Sequence, residues 1–345
     1  MSGECPWKLD SIVWELTLRC CFRCAYCGSR AGEARENELT TAECLSVAAQ
    51  LADLGCRRVN LLGGEVFLRP DWREIAAALT ARGMKVCVIT SGYVLTPAIL
   101  EDLAALNIES VAVSLDGPER VHDAARQKGS YARALKAIRA LTDRGIPTSV
   151  ISALRGDNVP LLGEFYETLR GYPIFAWQLQ ACSPMGNASS GALDTRFDPL
   201  AVLRFAALEA PKAPFMILVA DNIGYFTPEE TVIRGGRGLS FGGCSAGLST
   251  LGIDSEGNVR GCESLYDESF IEGNLRQKSL RAIWEDENAF AYNRGFTPDR
   301  LTGKCARCAA GEYCGGGCRS YNYFAGGRLY ESPLCPRQPK EGEKL

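Results

Sequence analysis

The sequence predicts an α/β protein: a parallel sheet with crossover helices, followed by a small, loop-rich, cysteine-rich domain. Three observations carry that expectation. Six short runs rich in β-branched and aromatic residues alternate with helical patterns, each bounded by Gly or Pro, as parallel strands with right-handed crossovers require. Gly-rich and polar motifs recur at the strand ends, where parallel α/β folds gather ligand chemistry. The 16 cysteines concentrate in two places, which points to metal rather than to a disulfide framework. A partial (β/α)6 barrel and a flat doubly wound sheet fit the strand pattern equally well.

Taken in order, the first strand is Ile12-Val13-Trp14-Glu15-Leu16-Thr17-Leu18. Directly after it Cys20, Cys24 and Cys27 stand in C-x3-C-x2-C spacing. A loop leaving a strand end can turn three thiolates toward one point, where they can hold three irons of a [4Fe–4S] cluster and leave the fourth open. Zinc is the alternative, but it calls for a fourth Cys or His nearby, and the only histidine, His122, is remote in sequence. Thr40-Thr41-Ala42-Glu43 opens a capped helix running to about Asp53, and Gly55 stops it. Strands follow at Arg58–Leu62, Lys85–Thr90, Ser110–Leu115, Pro147–Ala153 and Phe175–Gln180. Helices are expected at Asp71–Arg82, Pro97–Leu106, Tyr131–Arg144 and Leu161–Arg170. Gly63-Gly64-Glu65 closes the second strand; two glycines let the backbone approach a ligand, and the acid can bind an ammonium group. Thr90-Ser91-Gly92 closes the third strand and Ser114-Leu115-Asp116-Gly117 the fourth, where Asp116 also suits a turn. His122 reads as a capping or packing residue. Ile151-Ser152 and Gln178 to Gln180 end the last two strands. The barrel is expected to span 11–195, with a helix at Pro199–Leu208 and a loop-rich bridge over 196–243.

The second cysteine group occupies 244–345. Cys244 and Cys262 flank a predicted hairpin, Ile253 to Val259, with its turn at Gly257. Cys305, Cys308, Cys314 and Cys318 follow in C-x2-C-x5-C-x3-C spacing, and Cys335 comes last. That density belongs to metal ligands; spacing alone leaves zinc open. Cys44, Cys56, Cys87 and Cys182 read as buried small hydrophobes, and Cys5 and Cys21 have no assignment.

Composition bounds the function. The chain has 345 residues, 46% apolar and 23% charged, with a net charge of −3. It can bury a normal core and carries no basic field that would suit nucleic acid or an anionic membrane. No secretory signal and no apolar run long enough to span a membrane is visible, so the expectation is a cytoplasmic protein.

The C-x3-C-x2-C loop, with Tyr26 before its third cysteine, resembles the signature of the radical S-adenosylmethionine (SAM) superfamily. The resemblance implies a partial (β/α)6 barrel, a SAM-binding [4Fe–4S] cluster on Cys20, Cys24 and Cys27, and reductive cleavage of SAM to a 5′-deoxyadenosyl radical. It further implies SAM contacts at Tyr26, Gly63, Gly64, Glu65, Ser91, Ser114, Asp116 and Arg126. Ser91 departs from the asparagine usual in the family. The C-terminal array resembles the SPASM extension, which implies two auxiliary [4Fe–4S] clusters: an outer one on Cys305, Cys308, Cys314 and Cys335, and an inner one on Cys244, Cys262 and Cys318. Arg237 to Gly243 lacks the eighth cysteine that some relatives have, so the inner cluster has an open iron or a ligand of another kind. In sulfatase-maturing relatives an acid at the position of Glu263 removes a substrate proton, which makes Glu263 a candidate catalytic base.

Trp14 to Leu18, Cys27 to Gly32 and Gly63 to Arg69 resemble maturases of ribosomal peptides with Nif11-type leaders. This implies a precursor peptide as substrate and a flavodoxin- or ferredoxin-type reductant. The first strand begins at about Ile12 with no winged-helix domain before it, so a separate leader-binding protein is expected. Two other readings are a sulfatase-maturing-type or small-molecule SPASM enzyme, and a non-enzymatic iron–sulfur or zinc protein.

Overall fold

The structure, a computed structural model, describes residues 5–234 and 241–337; part of the expected bridge and of Arg237 to Gly243, and the last eight residues of the expected C-terminal domain, lie outside them. Seven parallel strands lie side by side in chain order: β1 (Ser11–Glu15), β2 (Arg58–Leu62), β3 (Lys85–Thr90), β4 (Ser110–Ser114), β5 (Thr148–Leu154), β6 (Ala176–Ala181) and β7 (Met216–Val219). Between them run α1 (Thr41–Asp53), α2 (Trp72–Thr80), α3 (Pro97–Ala105), α4 (Glu119–Ala125), α5 (Ser130–Thr142), α6 (Leu162–Leu169) and α7 (Pro199–Glu209). The expected start of α1 is present as a capping box, in which the Thr40 side chain accepts from the Glu43 amide and the Glu43 carboxylate accepts from the Thr40 amide.

The strand order decides between the two architectures. A doubly wound sheet reverses its order at a switch point among its crossover-connected strands, and β1 to β7 run in one direction without one. Right-handed crossovers then send every helix to one face, and the other face must be buried by curling. Seven strands about 4.8 Å apart would spread over roughly 29 Å if flat. Yet one cavity of about 420 Å³ is lined from the C-terminal ends of β2 to β7 and from the loop after β1. The sheet is therefore curled into an open, partial barrel.

Two parts of the chain differ from expectation. The bridge contributes a seventh parallel strand: Met216 to Val219 pairs with β6. The C-terminal hairpin, β8 (Thr250–Ile253) and β9 (Asn258–Arg260), does not start a sheet of its own. Strand β8 pairs in parallel with β1, from Ser11 opposite Thr250 to Trp14 opposite Ile253. Strand β9 and β10 (Gly273–Asn274) continue outward antiparallel. Leu251, Ile253, Val259, Ile283 and Trp284 accordingly belong to the same apolar core as Ile12, Trp14, Leu61, Val88 and Trp177. The sheet and core run through the boundary expected at residue 244. Among the described residues no helix is long and apolar enough to cross a membrane.

Candidate functional site

The cysteine loop is held by its neighbours' backbones. The amide of Gly64 donates to Thr17 O at 2.7 Å and that of Glu65 to Arg19 O at 2.8 Å. A Cβ on Gly63 would stand 2.4 Å from Thr17 O, and one on Gly64 2.3 Å from Arg19 O. The glycines thus let the end of β2 lie against the root of the cysteine loop, a closer approach than any side chain permits. From the far side, Asn187 donates its amide to Cys27 O and its side-chain nitrogen to Cys24 O, both at 2.9 Å. Within the loop the amide of Phe22 donates to Cys20 Sγ at 3.4 Å and that of Ala31 to Cys27 Sγ at 3.3 Å. Amides aimed at thiol sulfurs are what a thiolate-ligated cluster uses.

Cys20, Cys24 and Cys27 line the 420 Å³ cavity, and so do Tyr26, Gly63, Gly64, Ser91, Ser114 and Arg126. Glu65 and Asp116 do not, although sequence placed them there. The Glu65 carboxylate is turned sideways along the sheet, where it accepts from Thr90 Oγ1 (2.7 Å), Ser91 Oγ (2.6 Å) and the Ser91 amide (3.0 Å). Burial pushes its pKa up and these donors pull it back. It clamps the end of β2 to the end of β3.

Asp116 is the centre of a buried charge network. It accepts from Arg126 Nε at 2.7 Å and Nη2 at 3.3 Å, from the Ala153 amide at 3.0 Å and from the Tyr26 hydroxyl. Arg155 Nη1 lies 3.8 Å away. Burial alone would raise the Asp116 pKa, but the charges of Arg126 and Arg155 hold it below the usual carboxylate range. Both guanidiniums lie against the Tyr26 ring, with Arg126 Cζ 5.3 Å and Arg155 Cζ 5.0 Å from its centroid. His122 is buried, accepts from the Asp116 amide at 3.1 Å, and is pushed down to a pKa of about 4 by burial. It is a neutral packing residue, as expected. Arg155 was missed; the strand end Ala153-Leu154-Arg155 was the only signal for it.

The C-terminal cysteines stand at two places. Cys305, Cys308, Cys314 and Cys335 surround one small cavity with Tyr225 and Phe226. Cys244 and Cys262 pack in one cluster with Tyr292, and the Cys318 thiol is pushed up by burial and by Cys244 and Cys262. Cys262 and Cys318 also line the main cavity, opposite the first cysteine loop. Among the described residues no three His, Cys, Asp or Glu side chains converge on a point that one metal ion could occupy; the thiols stand around cavities instead. Burial raises Cys24 and Cys262 to about 11 and Cys314 to about 12, so ligation releases protons.

Glu263 is not placed to act as a base. Cys262 and Ser264 line the cavity, while Glu263 between them does not. Its carboxyl is buried with no hydrogen-bond partner among the described residues. Burial and the charge of Glu15 raise its pKa well above the carboxylate range, against the pull of Arg260. The acid that does line the cavity is Asp221, just past β7. Its side chain is 74% exposed, so the upward push on its pKa from surrounding walls is screened, and Arg234, 3.9 Å away, opposes it. Gln180 and Cys182 also reach the cavity. Ser152 does not; its hydroxyl donates to Leu115 O and accepts from Trp177 Nε1.

Residues 14–169 match the radical SAM superfamily and 244–309 the SPASM iron–sulfur cluster-binding domain. The PqqA peptide cyclase of Rhizobium meliloti is 30% identical over 95% of this chain and 87% of its own length. The chain belongs to the radical SAM superfamily. It is similar at 29% identity to the AdoMet-dependent heme synthase of Methanosarcina barkeri, over 95% of this chain and 96% of that protein. It is equally similar to the mycofactocin maturase MftC of Mycolicibacterium smegmatis, over 91% and 79%. The crystal structure of Streptococcus suis SuiB bound to S-adenosylmethionine shares the fold, with a TM-score of 0.77 at 17% identity over 96% of this chain and 78% of that one. This radical SAM enzyme therefore uses SAM and iron–sulfur clusters.

Proposed function

We propose that the enzyme oxidatively modifies a ribosomally made peptide and carries three [4Fe–4S] clusters. Cys20, Cys24 and Cys27 hold the SAM-binding cluster, Cys305, Cys308, Cys314 and Cys335 the outer one, and Cys244, Cys262 and Cys318 the inner one. The observation that carries the reading is the shared cavity: the first three cysteines and Cys262 and Cys318 open onto the same space. A substrate held there lies within reach of both clusters. When bound, SAM and its reduced cluster supply a 5′-deoxyadenosyl radical that takes a hydrogen from the substrate.

The chain's own residues bind and orient. The backbone of Gly63 and Gly64, with Ser91, Ser114 and Arg126, forms the SAM side of the wall. Asp116, Tyr26 and Arg155 fix the direction of the Arg126 guanidinium from behind. Asp221, on the opposite wall, holds an amide or ammonium group of the peptide. A separate leader-binding protein and a flavodoxin- or ferredoxin-type reductant complete the system, and tight binding of the leader by the enzyme alone in a calorimetric titration would remove the first of these.

The similarity to heme synthases favours a second reading, a small-molecule substrate. A haem-type tetrapyrrole carries several carboxylates and calls for cations to receive them. Among the described residues lining the cavity Arg126 is the one cation, and Asp116 already holds it. That favours the peptide. The test is anaerobic incubation of the reconstituted enzyme with SAM and either a precursor peptide or a porphyrin. The reading predicts loss of hydrogen from the peptide, seen by mass spectrometry in step with 5′-deoxyadenosine. Turnover of the porphyrin alone would decide for the second reading.

A further inference from the structure

We propose that the groove between α3 and α5 docks a small acidic one-electron carrier protein that reduces the cluster held by Cys20, Cys24 and Cys27. The proposal rests on the reading above for the existence of that cluster. The groove has a volume of about 280 Å³, and Arg133, Lys136 and Arg144 stand along it over a floor of Tyr93 and Leu100. None of the described residues lining it is a carboxylate, and none of the three cations has a carboxylate partner among the described residues. Arg133, Lys136 and Arg144, with Ala137 and Ala140 between them, recur at helical spacing, so the cations share one face and the alanines leave the space between them open.

Charge along this segment runs against the rest of the molecule. From Lys128 to Arg144 there are five exposed cations and one carboxylate, Asp143, in a chain of net charge −3. A local positive field on an acidic protein steers an acidic partner into one orientation and raises its encounter rate. Small electron-transfer encounters need less buried area than stable complexes, so a shallow charged groove is sufficient.

The floor of the groove leads to the cluster loop. Arg133 Cζ stands 4.3 Å from the centroid of the Tyr93 ring. The Tyr93 ring meets the Phe22 ring edge-on at 4.8 Å, and the Phe22 amide donates to Cys20 Sγ at 3.4 Å. Three contacts therefore connect the exposed cations to a cluster ligand. Phe22 also forms part of the cavity wall, so an electron entering by this route does not cross the space that substrate fills. The step moves one electron: the carrier is oxidised, the cluster is reduced, and no bond forms or breaks in the groove.

The test uses the reconstituted holoenzyme and a reduced flavodoxin as the probe. The Arg133→Glu/Lys136→Glu variant is compared with wild type and with Arg82→Glu, an exposed reversal on a different helix end. At low salt, where the Debye length is about 30 Å, flavodoxin binding measured by fluorescence anisotropy and flavodoxin-driven 5′-deoxyadenosine formation should both fall about tenfold in the double variant. Dithionite-driven formation should not change, and Arg82→Glu should behave as wild type. Added salt should slow the wild type toward the variant. Unchanged binding in the double variant, or an equal loss in Arg82→Glu, overturns the proposal. Binding to anionic vesicles in place of flavodoxin, lost in the double variant, overturns it in favour of a membrane surface. Absence of dithionite-driven cleavage in the wild type would instead sink the radical SAM reading, and the anisotropy would still decide the docking surface.

Discussion

Replacing Asp116 by Asn keeps the side chain's shape and removes its charge. The wild-type carboxylate is fully buried and faces Arg126, 11% exposed, and Arg155, fully buried. Arg126 is gripped by two contacts, 2.7 and 3.3 Å, and the Ala153 amide donates to the same carboxylate. An asparagine has one acceptor where three donors besides Tyr26 converge, and its NH2 group must face another donor. The Arg126 guanidinium is then left buried against Tyr26 without a counter-charge, while Arg155 keeps Asp157 at 3.0 Å. Removing one partner of a buried pair costs roughly 3–5 kcal/mol, and Asp116→Asn should lose that much in anaerobic urea unfolding. Adding Arg126→Met to the variant should restore part of the loss, because the uncompensated charge leaves with it. SAM cleavage should fall in both, since Tyr26 and Arg126 lose their orientation. A loss below about 1 kcal/mol, in the range of exposed pairs, would refute the network. So would additive losses in the double variant.

Three further outcomes follow from the same geometry. In Gly64→Ala the new Cβ would lie 2.3 Å from Arg19 O and 2.6 Å from Leu18 O, and backbone cannot yield as a side chain would. Iron analysis should show loss of about four irons, those of the first cluster, with the rest retained; full iron would refute the steric reading. Asp221→Asn should raise the peptide KM about tenfold, the lower end of what a charge-assisted hydrogen bond contributes, with a smaller effect on kcat; an unchanged KM would take Asp221 off the substrate. For His122 the folded pKa of about 4 lies below the usual 6.5. Stability is then fully present above pH 6.5 and is lost as the pH falls toward 4, by roughly 3 kcal/mol at about 1.4 kcal/mol per pH unit. His122→Asn, which still offers an acceptor to the Asp116 amide, should flatten that slope in unfolding measured between pH 7 and 4.

The six strands of the barrel were legible because each is an apolar run closed by Gly or Pro, and Gly63, Ser91 and Ser114 stood at their ends as parallel topology requires. Strand β7 was overlooked. Met216 to Val219 lies in an apolar run, Phe215 to Ala220, bounded by Pro214 and by Asp221-Asn222, a signal of the same kind as that of the other strands. Asp221 was lost with it, although it follows the strand-end rule that found the others. Helix α4, seven residues with no side-chain cap, gave no start signal. The joining of β8 to β1 is a long-range pairing that local sequence does not encode. Direction of side chains was the other gap. Glu65 and Asp116 were correctly placed at strand ends, but whether such a residue points into the cavity or along the sheet depends on its neighbours' hydrogen bonds. Glu263 shows the same: it sits in a turn in which the Leu265 amide donates to Cys262 O at 3.0 Å, and the turn leaves Cys262 and Ser264 on the cavity and the acid off it. The two C-terminal cysteine sets were implied by resemblance and not by spacing; Cys305, Cys308, Cys314 and Cys335 border one cavity.

The most direct measurement is made anaerobically on the reconstituted protein, with Cys24→Ala beside it: iron and sulfide content, then 5′-deoxyadenosine after reduction and addition of SAM. The account predicts about twelve irons in the wild type and 5′-deoxyadenosine that disappears in the variant while the auxiliary irons remain. Tightly bound zinc with no cleavage of SAM in the wild type would contradict it.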